Sequence, residues 1–269
     1  MMVTVSFVLG MLTKEILSLQ HPIVKHFVNL RKNKAYREEH RSLLVTGMNA
    51  LCELSSSHCF TRLLVVKKKT VPFRYQAIET LIVTEDILKK ITGLETPEDI
   101  VAEIPQPKES DLSRCERILL LDKISDPGNL GTLLRTAVAL KWDAVFHLEG
   151  SVDLFNDKVL RSSKGAIFRL PFSRGNEASL QALIDTHVQK TPWTLFAADP
   201  RGDPLAKYLP CQGPLILAIG NESQGLSPFI SMTFQRVALP MDGAMESLNA
   251  AIAGSIFMYI LRGHCHERS

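Results

Sequence analysis

Arg117-Ile118-Leu119-Leu120-Leu121, followed five residues on by Asp126-Pro127-Gly128-Asn129-Leu130-Gly131-Thr132-Leu133-Leu134-Arg135-Thr136-Ala137, decides the fold class of this 269-residue chain. The first run is apolar without alternation, as in a parallel strand buried on both faces. The turn at Pro127–Asn129 then opens a helix that runs to Leu140, with Leu133, Leu134, Ala137 and Val138 marking it as well buried. Working outward, strands are expected at Ala144–Leu148, Ala166–Leu170, Thr194–Ala197, Leu215–Ile219 and Arg236–Leu239. Helices are expected at Asp157–Ser162, Leu180–Gln189 and Glu246–Leu261. Regular alternation of strand and helix predicts an α/β fold whose mostly parallel sheet is covered on both faces.

Towards the N-terminus, Ile104-Pro105-Gln106-Pro107-Lys108-Glu109-Ser110 reads as a linker, which divides the chain into 1–108 and 109–269. The first part predicts a small α/β module. Its helices are Pro22–Asn33 and Met48–Ser55; its strands are Ser42–Thr46, Thr61–Val66, Leu81–Val83 and Asp99–Ile104. Residues 1–108 carry 15 Lys and Arg against 11 Asp and Glu, and the rest of the chain 16 against 17. Lys25, Arg31, Lys32, Lys34, Arg37 and Arg41 cluster with His21, His26 and His40, a pattern suited to phosphate contacts or to a solvated helix face.

Net charge is +3 and apolar content 45%, enough for a sizeable core. No run of eighteen or more apolar residues occurs, so no membrane-spanning helix is expected. Met1 to Leu12 is short and apolar but lacks a preceding basic region, which disfavours a signal peptide; an initiation codon at Met11 explains it equally well. Cys52, Cys59, Cys115, Cys211 and Cys265 form no C-x-x-C pair and fit a reducing cytosol. His264-Cys265-His266 reads as a solvated tail, and no metal site is expected.

Three glycine-bearing loops carry the chemistry. In the first, Gly128 and Gly131 permit close backbone approach and Asn129 suits an N-cap, beside a helix N-terminus able to bind phosphate. Arg135 lies six residues on, and its forked guanidinium matches phosphate oxygens. No Lys-Ser or Lys-Thr follows these glycines at Walker A spacing, and the third glycine of a dinucleotide fingerprint is missing. The second loop follows an apolar strand: Ala218-Ile219-Gly220-Asn221-Glu222-Ser223-Gln224-Gly225-Leu226-Ser227. Gly220 lets a ligand approach a strand end, Glu222 is an acceptor at the carboxyl edge of the sheet, and Ser227-Pro228 suits a helix start. The third is Leu239-Pro240-Met241-Asp242-Gly243-Ala244-Met245-Glu246-Ser247-Leu248-Asn249. Its backbone is free to read an adenine edge, and Ser247 and Asn249 flank Leu248 where capping residues belong. The helix after it is apolar almost all round, which requires burial on both sides and predicts a homodimer.

In this order and spacing the three loops resemble the signature motifs of the SpoU family of RNA 2′-O-ribose methyltransferases. Val159-Leu160-Arg161-Ser162-Ser163-Lys164-Gly165-Ala166 resembles the family's segment between the first two. More loosely, Ser18 to Lys25 and the strand–glycine–helix unit at Thr46-Gly47 resemble the small RNA-binding domain that precedes the catalytic domain in many relatives, although relatives often have Glu before that glycine. The resemblance implies a SPOUT-type sheet with a C-terminal trefoil knot, an exception to the no-knot rule. It implies S-adenosyl-L-methionine held by Ala197, Ala198, Gly220, Leu239, Met241 and Leu248. It places Asn129, Arg135, Glu222, Ser247 and Asn249 in the polar active site. The implied reaction moves a methyl group to a ribose 2′-hydroxyl of structured RNA in the cytoplasm, ribosomal RNA before transfer RNA. An arginine with pKa above about 12 is a poor base, so Arg135 is expected to stabilise the developing alkoxide. A non-catalytic RNA-binding relative predicts no turnover. A nucleotide-binding oxidoreductase is opposed by the incomplete glycine fingerprint.

Overall fold

Apolar strands that alternate with helices bury both faces of a parallel sheet, and the second half of this chain does so. The computed structural model describes residues 2–3, 12–56, 59–67, 71–72, 75–188, 192–211, 213–242 and 247–262. The chain forms two compact units, one of residues 1–108 with Phe155–Gly165, the other of Glu109–Leu154 with Ala166–Ser269. The segment 155–165, read from sequence as part of the second domain, thus groups with the first.

The first unit contains β1 (Met2–Val3), β2 (Leu12–Ile16), α1 (Pro22–Lys32), α2 (Lys34–His40), β3 (Ser42–Thr46), α3 (Met48–Leu54), β4 (Phe60–Val66), β5 (Val71–Pro72), β6 (Ala77–Val83), α4 (Glu85–Thr92) and β7 (Ile100–Pro105). Its mixed five-stranded sheet has the order β2-β6-β4-β7-β3, and β1 pairs separately with β5. In α1, Pro22 occupies the first turn and His21 Nδ1 accepts from the Ile23 amide at 3.2 Å. Val24, Phe27 and Leu30 form its buried face. The sequence reading passed over α2 and α4. Both are capped by side chains, Asn33 on the Tyr36 amide and Thr84 on the Ile87 amide, so local hydrogen bonding compensates for their short length. Arg37, expected at phosphate, is instead buried, and its Nη1 donates to the carbonyls of Leu30 at 2.8 Å and Arg31 at 3.1 Å. It closes the end of α1 and is withdrawn from the phosphate set.

The second unit holds β8 (Arg117–Leu121), α5 (Pro127–Ala139), β9 (Ala144–Leu148), β10 (Phe172–Gly175), α7 (Glu177–Val188), β11 (Thr194–Pro204), β12 (Leu215–Ile219), α8 (Pro228–Thr233), β13 (Gln235–Ala238) and α9 (Ala250–Leu261), with α6 (Asp157–Ser163) in the segment that groups with the first unit. Its six strands are all parallel, in the order β10-β9-β8-β12-β11-β13. The expected strand Ala166–Leu170 is corrected: Ala166–Phe168 is a 3₁₀ turn closed by Arg169 N–H to Ala166 O, and the edge strand starts after Pro171. Among the described residues no helix is long and apolar enough to cross a membrane.

α9 begins at Ala250 rather than Glu246, capped by Asn249, and residues 243–246 lie outside the described structure. Arg117 Nη1 donates to Leu261 O and Trp142 Nε1 to Met258 O, which ties down the helix end. Gly254 lets α9 lie close against α5, since a Cβ there would stand 2.5 Å from Leu133 Cδ2. Within the single chain, burial of α9 is one-sided. Ala251, Phe257, Met258 and Leu261 are buried, whereas Ile252, Ile256, Tyr259 and Ile260 form an exposed stripe. Their spacing is one helical face. Leu12 to Ile16 forms a strand, but most of Met1–Leu12 and the tail His264-Cys265-His266 fall outside the described residues.

Candidate active site

A parallel sheet directs all its carboxyl ends to one edge, and open α/β sheets bind ligands there. At that edge lies a cleft of about 820 Å³. Its walls are the loop Gly220–Leu226 after β12, the bend Ala198–Arg201 in β11, Leu239 and Met241 after β13, and Ser247, Leu248, Asn249 and Phe257 at α9. Gly220 is required by close approach: a Cβ there would stand 2.8 Å from the Gly225 carbonyl carbon. Gly220→Ala should therefore push the loop into the cleft and weaken cofactor binding about tenfold, the effect of roughly 1–2 kcal/mol of overpacking. Calorimetric titration checks this, and unchanged affinity would mean the loop yields freely.

The polar residues of the three loops form one hydrogen-bonded chain. Asn129 Nδ2 donates to Glu222 Oε1 at 2.9 Å, and Asn249 Nδ2 donates to Asn129 Oδ1 at 2.9 Å. Ser125 donates to Glu222 Oε2 twice, from its hydroxyl at 2.8 Å and its amide at 3.2 Å. Asn249 Oδ1 accepts from the amides of Ala251 at 2.9 Å and Ile252 at 3.2 Å. The polarity has one solution. An ionised Glu222 only accepts, so Asn129 must turn its amide nitrogen to it and its oxygen to Asn249, whose own oxygen is left for the helix. Partial burial opposes ionisation of Glu222, but hydrogen bonds from Asn129, its own backbone and Ser125 outweigh it and hold the carboxyl below its ordinary value. The contribution of this chain to stability is present above the ordinary carboxylate range and is lost as pH falls through the depressed folded value.

Beneath the chain, Asn221 Nδ2 donates to Lys123 O at 2.7 Å and the Ser227 amide donates to Asp122 Oδ2 at 2.6 Å. Asp122 is buried, and burial pushes its carboxyl above the ordinary value. A raised folded pKa favours the fold most below the unfolded value of about 3.9, and that advantage is lost as pH rises through the folded value. Asp122→Asn keeps an acceptor for Ser227 and removes the buried ionisation. Its melting temperature, measured from pH 3.5 to 7, should rise relative to the parent as pH increases; parallel curves would refute the linkage.

Of the residues expected at the site, Ala198, Gly220, Glu222, Leu239, Met241, Ser247, Leu248 and Asn249 line the cleft. Ala197 does not: it is fully buried, paired with Ala218 within the sheet. Asn129 joins through Glu222 and Asn249, and the α5 cap is Asp126, whose Oδ1 accepts from the Asn129 amide at 2.7 Å. Arg135 is exposed on α5, does not line the cleft and makes no hydrogen bond or ion pair with a described residue. Sequence reading missed Ser125, Asp122 and the bend Asp199-Pro200-Arg201. The bend was detectable as a polar turn directly after an apolar strand, whereas the partners of Ser125 and Asp122 lie about a hundred residues away.

Residues 116–259 match the SpoU rRNA Methylase family, and residues 21–102 match the MRM3-like substrate binding domain. The chain belongs to the SpoU family. It is 33% identical over 253 residues to the 23S rRNA (guanosine(2553)-2′-O)-methyltransferase RlmP of Bacillus subtilis, a match that spans 93% of this chain and 100% of that protein. It is 32% identical to the 23S rRNA (uridine(2479)-2′-O)-methyltransferase of Streptomyces viridochromogenes over 61% of this chain and 60% of that one. Among solved structures, the AdoMet-bound rRNA methyltransferase from Sinorhizobium meliloti superposes with a TM-score of 0.80 at 26% identity, covering 94% of this chain and 98% of the other. Within the SpoU frame, the cleft suits S-adenosylmethionine. Leu239, Met241, Leu248 and Phe257 provide apolar walls, Gly220 a close backbone, and ionised Glu222 a negative rim.

Proposed function

We propose that this protein transfers a methyl group from S-adenosylmethionine to a ribose 2′-hydroxyl of ribosomal RNA, in the cytoplasm. The observation that carries the reading is the chain Asn249–Asn129–Glu222–Ser125, which joins all three signature loops at one cleft. Rigid polar groups at a cleft rim are what orientation of two reactants demands. Bound S-adenosylmethionine supplies an electrophilic methyl group. Ala198, Gly220, Leu239, Met241 and Leu248 would hold it. Glu222, its carboxyl held low, is a weak base and acts by orienting Asn129, while Ser247 and Asn249 shape the rim. Arg135, whose guanidinium pairs with no other described residue, stabilises the developing alkoxide beside the target phosphate. Lys25, Lys32, Lys34 and Arg41, all exposed, and half-buried Arg31 hold RNA phosphates. Family membership also supports a C-terminal trefoil knot.

The exposed stripe Ile252, Ile256, Tyr259 and Ile260 supports a homodimer through α9. Thr136, next to Arg135, bonds Ser255 of that helix at 3.1 Å, so dimerisation would border the catalytic arginine. Ile256→Asp should convert a dimer to a monomer in analytical ultracentrifugation and lower activity at least about tenfold, from loss of an apolar interface. A parent protein that sediments as a monomer would remove the proposal.

The activity test is transfer of labelled methyl from S-adenosylmethionine to RNA that lacks this modification. Label in an alkali-stable dinucleotide from the ribosomal fraction is expected. Label confined to transfer RNA would favour the second reading, and cofactor binding without transfer to either would favour a non-catalytic relative.

A further inference from the structure

In the first unit a second cavity, of about 350 Å³, opens among α1, the end of α2 and strands β3, β4 and β7. That volume lies in the range of small-ligand clefts, about 300–1,000 Å³. Ile23, His26, His40, Ser42, Arg62 and Glu103 line it. The rings are held in place. His40 stacks on Tyr36 with centroids 3.9 Å apart, and His26 lies 5.5 Å from His40. His26 Nδ1 is 2.9 Å from Tyr36 Oη and its Nε2 is 3.2 Å from Glu103 Oε1. Glu103 is buried, and its Oε2 accepts from Arg62 Nη1 at 2.7 Å. Arg62 Nε donates in turn to Glu79 at 3.0 Å, and Glu79 accepts from Lys14 at 3.1 Å.

The chemistry selects the occupant. Burial opposes ionisation of Glu103, but His26 and Arg62 outweigh it and hold the carboxyl below its ordinary value. A fixed carboxylate repels phosphate. Ring walls over a floor of Glu103 paired to Arg62, with the Ser42 hydroxyl beside them, instead match a planar group that carries both donors and acceptors. RNA presents such groups where bases are unpaired, and proteins receive them by stacking on aromatic and histidine rings. Lys25 and Arg41, the chain neighbours of His26 and His40, are exposed and stand ready for the flanking phosphates.

We propose that this pocket takes one unpaired nucleobase of the substrate RNA, stacked on His40. The proposal rests on the reading of the chain as an RNA methyltransferase. The test is equilibrium binding of the full chain to a fluorescein-labelled single-stranded RNA and to its duplex, over a range of salt. His40→Ala should weaken single-strand binding at least about fivefold, the lower end of one lost stack, with an unchanged salt slope and unchanged duplex binding. His40→Phe should stay within about twofold of the parent. Lys25→Gln should weaken both forms and flatten the salt slope. If the parent binds single strands and His40→Ala changes nothing, or weakens the duplex equally, the pocket is wrong and the methyltransferase reading survives. A His40→Phe variant as weak as alanine, with an unchanged melting temperature, would also overturn it. A parent that binds no RNA, together with no methyl transfer, would remove both.

Discussion

Arg135→Ala should all but abolish methyl transfer, with kcat down about 10²–10³-fold, and leave the affinity for S-adenosylmethionine within about twofold. The size is that of removing one preorganised donor from a developing oxyanion. The split between kcat and cofactor affinity follows from position: Arg135 stands six residues beyond Asn129 on α5, exposed and outside the lining of the cleft. Substitution there removes a charge without touching the walls of the cleft. Arg135→Lys should restore little, because a point charge lacks the planar fork that grips an oxyanion and a phosphate together. Single-turnover methyl transfer and calorimetric titration of the cofactor separate the two quantities. Lost cofactor affinity in Arg135→Ala would undo the assignment.

Glu222→Gln should be nearly as damaging, although it changes one atom. The carboxylate accepts from Asn129 on one oxygen and from Ser125 on the other. An amide offers one acceptor and one donor group. If its oxygen stays with Ser125, its nitrogen meets Asn129 Nδ2; Asn129 must then flip and present nitrogen to Asn249 Nδ2, whose oxygen is committed to the first turn of α9. The mismatch therefore travels through all three loops. Because the chain is partly exposed and water can relieve it, the stability cost is about 1 kcal/mol, while kcat should fall about a hundredfold from lost orientation. The double variant Glu222→Gln/Asn129→Asp reverses one donor and one acceptor, so the carboxylate introduced on α5 accepts both from the introduced amide and from Asn249. Recovery of melting temperature and at least about tenfold of the lost kcat is expected, as for directly coupled residues. Additive losses would show that the chain is not a unit.

Much of this site was legible because its parts are local. A glycine after an apolar strand, a helix start beside it and an acidic or amide side chain within two or three residues can be recognised in one short window. Gly220, Glu222 and Asn249 were found this way. Residues whose importance lies in a distant partner were not. Ser125 and Asp122 are of this kind. The family resemblance placed Asn129 at the site, but its local position suggested a cap, whereas Asp126 caps that helix and Asn129 spends both ends of its amide on Glu222 and Asn249. Arg37 looked like a phosphate ligand because it stands among cations, but the bend between α1 and α2 turns it onto the carbonyls of Leu30 and Arg31.

By itself the sequence determined the alternation of strands and helices, the parallel sheet and the three loops, since hydrophobic period and turn chemistry act over a few residues. The tertiary structure decided which side chains are spent on structure and which are left for chemistry, because that depends on contacts between residues far apart in the chain. The same holds for α9. Its sequence is apolar on every side, but packing against α5 and the sheet covers only one of them, and Ile252, Ile256, Tyr259 and Ile260 are left exposed.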